Sequence, residues 1–198
     1  MQWPVMLMTG SSLLLGWQAV AADAQATLRF ATACADCHEG ECSGRLSFAR
    51  RPEAAATHIR QYAGPVGDDL ARELYAALER MKTDCRYQMP GAAIDLLGGE
   101  LAGPRLAQLR DPWSGFYIVP LIRLAPGRYR LSGELAGDGR IRIEAVDEVF
   151  DHWVDDCTTT RGQRFAIDLQ LPEAHRLFVR LRPADKKTVV RLSLERAD

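Results

Sequence analysis

The sequence predicts two domains, an all-α segment followed by an all-β antiparallel sandwich, behind an export signal. Three observations predict it. Apolar residues recur at helical spacing up to about residue 104 and alternate with polar ones from about residue 111 onward. Ala125-Pro126-Gly127 and Gly137-Asp138-Gly139 are turn signals between alternating runs of the second stretch. The first twenty residues are largely apolar and carry no charged side chain.

Composition narrows the partners. Over 198 residues, 25 basic and 26 acidic side chains leave a net charge of −1, and 47% of residues are hydrophobic. An ordinary globular protein fits these values, and nothing in them calls for nucleic acid or an anionic membrane surface.

Taken in order, residues 1–21 read as a secretory signal peptide. Residues 5–20 are apolar but short and interrupted by Gly and Ser, unlike a membrane-spanning helix of roughly 20 apolar residues. Ala19-Val20-Ala21 is a small-x-small cleavage pattern, so cleavage is expected after Ala21, leaving no stable membrane span; the absence of Lys and Arg before it keeps an uncleaved anchor or a misassigned start as alternatives. The expected compartment is the bacterial periplasm or the exterior, where disulfides persist. Residues 22–104 form the expected helical domain. Pro52 opens a helix that Gly64-Pro65 closes, and residues 68–82 repeat Leu70, Leu74, Leu78 and Met81 on one face. A short third helix is expected at residues 92–97, and Pro104 opens a fourth. Residues 111–198 form the sandwich, with six strands expected at 115–121, 128–135, 140–146, 164–171, 176–182 and 188–195. The acidic segment from Asp151 to Asp156 reads as a solvated loop, with cation binding as the alternative, and His152 and His175 read as surface or loop groups.

Cys34-Ala35-Asp36-Cys37-His38 carries the chemistry. C-x-x-C-H is the attachment signature of c-type haem. Two thiols three positions apart reach two vinyl groups from one turn of chain, and the adjoining His supplies a nitrogen to the iron. A thioredoxin-like dithiol would need a surrounding βαβ pattern that is absent. Structural zinc would need a second close-spaced pair, which Cys42 and Cys85 do not form.

On Phe30, the Cys34–His38 pentad and Met89-Pro90, residues 26–97 resemble the class I c-type cytochromes. The resemblance implies one covalent haem c, with Phe30 packing against it, His38 as proximal ligand and Met89 as distal ligand. Pro90 holds Met89 in extended backbone. Met81, in the apolar stripe, and His58, on the Pro52–Ala63 helix, are the alternative sixth ligands. Three cysteines remain. Cys42 and Cys85 are the expected disulfide, with Cys85–Cys157, Cys42–Cys157 and free thiols as alternatives.

The stretches from Tyr129, Arg142 and Arg191 resemble the jelly rolls of carbohydrate-binding modules. That resemblance implies exposed aromatics for sugar stacking, with Trp113, Tyr117 and Trp153 as candidates, although each also reads as a core residue. The expected function is one-electron transfer by an exported monohaem protein to a redox partner such as a dehydrogenase, an oxidase or another cytochrome. The sandwich then serves for docking, and no catalytic residue is named. Two alternatives stand beside it: a peroxidase-like enzyme with an open distal site, and an envelope- or polysaccharide-binding module that carries a haem.

Overall fold

A computed structural model describes residues 14–40, 42, 51–88 and 91–197. Eight strands form two antiparallel four-stranded sheets. β1 (Glu100–Ala102), β8 (Val189–Ala197), β3 (Gly127–Leu135) and β6 (Arg164–Leu171) make the first, in that order. β2 (Tyr117–Leu124), β7 (His175–Pro183), β4 (Arg140–Asp147) and β5 (His152–Thr159) make the second. Leu131, Leu169 and Leu194 from one sheet and Val119, Ile143 and Leu181 from the other face a common core. Successive side chains point to opposite faces, so each strand sends every second residue inward.

The helices cover the outer face of the second sheet. α1 (Leu14–Ala33), α3 (Pro52–Ala63) and α4 (Asp68–Asp84) bury Leu28, Phe30, Ile59, Leu74 and Met81 together. That cluster also takes in Ile118 of β2, Val146 of β4 and Phe178 of β7. The helical segment and the sandwich therefore share a core. Among the described residues, no helix is long and apolar enough to cross a membrane. Residues 1–13 of the expected signal lie outside the described residues, and α1 runs through the expected cleavage position at Ala21.

Two contacts lock the layers. The Arg29 guanidinium of α1 donates to Asp111 Oδ1 at 2.6 Å and to the Ala63 carbonyl at 2.7 Å, the last carbonyl of α3. Asp111 also accepts from the Ser114 amide and hydroxyl at 2.9 and 2.6 Å. Burial by itself raises the Asp111 carboxyl, but the hydrogen bonds from Ser114 and Arg29 outweigh it and hold the group below the usual carboxylate range. Gly64 then lets the Trp113 indole close on the backbone. Its φ is +82°, and a Cβ there would lie 2.2 Å from Trp113 Cε2. Gly64→Ala should therefore cost about 1–3 kcal/mol through overpacking, read from denaturant melts. A loss within error would show that Trp113 swings aside freely.

Several expectations change. α3 begins and ends where Pro52 and Gly64 predict, and α5 (Gly103–Ala107) starts at the Pro104 signal. Residues 92–97 form no helix: Ile94 and Leu97 instead make isolated bridges to Leu121 and Leu194 of the sandwich. Glu100–Ala102, inside the expected helical domain, pairs with β8. The segment read as a solvated loop is β5, an edge strand whose Asp155 and Asp156 stay exposed. It lacks the inward apolar alternation by which strands are recognised. The class I cytochrome resemblance also fails as a description of the chain, whose described residues are organised around two four-stranded antiparallel sheets.

Candidate functional site

The Cys34–His38 motif forms a single helical turn, α2 (Ala35–His38), at the end of α1. The Cys34 amide donates to Phe30 O at 2.9 Å, Cys37 to Cys34 O at 3.2 Å, and Glu39 to Ala35 O at 2.7 Å. Ala35 is fully buried and anchors the turn. Cys34 is half-buried and Cys37 exposed, and both thiols are unbridged, as is Cys157. The disulfide joins Cys42 to Cys85. Burial pushes the Cys34 thiol up to about 12, with the Arg29 guanidinium pulling the other way. Redox-active dithiols depend on a lowered thiol pKa, so the environment of Cys34 does not suit one.

The second sheet holds this turn by charge. β4 and β7 lie side by side, and their outward residues pair directly: Val146 with Phe178, Glu144 with Arg180, Arg142 with Arg182. The first pair joins the helical core, and the other two pairs carry charge. Arg180 is 1% exposed. It donates to Glu39 Oε1 at 2.6 Å and to Glu144 Oε1 at 2.8 Å, and lies 3.3 Å from Asp36 Oδ1. Arg182 pairs with Asp36 and sets its Nε 2.8 Å from Glu144 Oε2. His152 Nε2 lies 3.1 Å from Glu39 Oε2. Burial disfavours the charged Arg180, yet the acidic neighbours Glu39, Glu144 and Asp36 outweigh it and the guanidinium stays protonated. Tyr87 completes the wall, stacking on Phe178 at 4.7 Å with its hydroxyl 3.4 Å from Arg180. The two acidic side chains of the turn, Asp36 within the motif and Glu39 just after it, are thus both held by the sandwich.

The other expected site residues fall in different places. Phe30 is buried one turn before Cys34, and Met81 is 2% exposed in the same helical core. His58 is exposed on α3, with its ring centroid 6.2 Å from that of His38. Met89 lies outside the described residues. The three aromatics expected to stack sugars form no platform. Tyr117 is 1% exposed and accepts a hydrogen bond from the Val189 amide. Trp153 is half-buried, donates to Asp147 Oδ2 at 3.2 Å and packs on His175. Trp113 lies beneath Arg29 and Lys186. His175, expected at the surface, is instead mostly covered, with Nδ1 3.0 Å from buried Asp147.

Glu144, His152 and Asp155 bring three ligand-type atoms close together. They do not make a cation site. Arg142, Arg180 and Arg182 already neutralise these carboxylates.

No protein-family model matches the chain, and no curated protein matches it. Neither resemblance stands: the chain is not shown to be a class I c-type cytochrome or a carbohydrate-binding module. Sequence reasoning also missed Arg180, Arg182 and Glu144. Their signal was present, because Phe178, Arg180 and Arg182 share the face opposite Leu177, Val179 and Leu181. That face reads as wet only until something packs on it.

Proposed function

We propose that this chain is an exported protein that carries one covalently bound haem c and passes single electrons to and from a redox partner protein. In this reading the sandwich, of jelly-roll connectivity, is the platform that holds the haem-bearing turn. One observation carries it: two unbridged thiols and a histidine share one helical turn, while Cys42 and Cys85 take the disulfide. Such a disulfide suits a periplasmic or secreted location.

A haem bound there supplies an iron that takes up and releases one electron. Cys34 and Cys37 would hold the group, each by addition of its S–H across a vinyl group to give a thioether with no leaving group. His38 offers an imidazole nitrogen to the metal. Phe30, at the root of the turn, is buried in the helical core and would back the turn that holds the group. Asp36 and Glu39 fix the turn through Arg182 and Arg180, so the attachment geometry is set by the sandwich as well as by α1. Exposed Cys37 leaves one edge open to a dehydrogenase, an oxidase or another cytochrome.

Expression in a host with c-haem maturation, followed by a denaturing gel stained for haem, tests the reading. Wild type should retain the stain, and the Cys34→Ser, Cys37→Ser double variant should lose it. Haem that runs free of the wild-type polypeptide would refute the proposal.

A further inference from the structure

We infer that His58 is the sixth ligand of the iron, facing His38 across it. The inference rests on the haem reading above and refines its chemistry. The His38 and His58 ring centroids are 6.2 Å apart, with planes at 72°. Two imidazoles that bound one metal from opposite sides, with nitrogen–metal lengths like the roughly 2.0–2.1 Å of zinc–histidine bonds, would have centroids about 6 Å apart. The observed spacing matches that requirement.

The alternative is a plain edge contact between two imidazoles, since aromatic pairs span about 4.5–7 Å. Packing argues against reading the juxtaposition as a product of that contact. His58 is exposed, so the contact covers little surface. What places His58 is α3, pinned by buried Ile59 and Ala63 and by the Arg29 bond to the Ala63 carbonyl. His38 is placed independently, by the buried Ala35 and the clamped acids Asp36 and Glu39. Two separately anchored elements thus bring the two imidazoles to a centroid separation of 6.2 Å. Tyr62, four residues on, packs on the His58 ring at 4.8 Å and orients it. Ligands on rigid helices, with a neighbour fixing the ring, are what a metal site requires. Met81, the other alternative, keeps its sulfur in the helical core.

A second imidazole in place of a thioether lowers the potential, because Met ligation raises it. The chain is then a low-potential carrier with both axial positions filled.

The test uses the full chain matured with haem. Wild type should be low-spin in both oxidation states, lack the Met-to-iron charge-transfer band and bind carbon monoxide slowly. His58→Ala should keep the haem stain, lose the low-spin spectrum and bind carbon monoxide rapidly when reduced. His58→Met should restore low spin and raise the potential, and Met89→Ala should leave the spectrum unchanged. A charge-transfer band in wild type that vanishes in Met89→Ala would overturn the inference while leaving the haem reading intact. Rapid carbon monoxide binding by wild type would overturn it in favour of an open site. Wild type with no covalent haem would overturn both.

Discussion

Arg180→Met should destabilise the protein by about 3–5 kcal/mol, the cost of removing one partner from a buried ion pair. The guanidinium is 1% exposed and sits between Glu144, itself 1% exposed, and Glu39. Without it, Glu144 retains Arg182 and Arg142, but among the described residues of the sheet Glu39 is left with His152. The loss is therefore larger than the removal of one hydrogen bond, because carboxylates out of water are left undercompensated. Arg130 and Asp168 form the control. That pair is more than half exposed on both sides, and Arg130→Ala should cost no more than about 1 kcal/mol. Urea unfolding of the two variants makes the comparison. If Arg180→Met lost as little as Arg130→Ala, the clamp on the Cys34–His38 turn would contribute no more than a surface bridge. Glu144→Gln provides a second route to the same network with less change of shape.

Removing the Cys42–Cys85 disulfide, by reduction or as Cys42→Ala, Cys85→Ala, should lower stability by roughly 4 kcal/mol in the chain-entropy account. The bond spans 43 residues that contain α3 and α4, and so constrains most of the helical layer when unfolded. Cys85 also closes α4 in a left-handed conformation, with φ 50° and ψ 44°. A non-glycine residue there is strained, so the disulfide holds a position that glycine would favour. Cys85→Gly with Cys42→Ala should therefore be more stable than the double-alanine variant, by about 1 kcal/mol. Denaturant midpoints of the two variants check the ranking. A loss below about 1 kcal/mol on reduction would show that the unfolded chain is already constrained in this region.

Local rules determined much of the secondary structure from the sequence alone. Pro52 and Gly64 bound α3 because their backbone preferences do not depend on neighbours. The six alternating strands were legible because each sends Leu, Ile, Val or Phe inward at every second position, as in Arg164–Leu171. The Cys34–His38 spacing was legible because its chemistry depends on local reach. Tertiary structure alone decided the rest. β1 has three residues and β5 little buried surface, so each exists as a strand only because β8 or β4 offers an edge to pair with. The fate of Arg180 was likewise not local. In sequence it belongs to a polar stripe; in the fold, the Cys34–His38 turn covers that stripe and supplies the carboxylates its buried charge requires. His58 meets His38 for the same kind of reason. Twenty residues of chain separate them, and only the packing of α3 against α1 and α4 brings the two rings together.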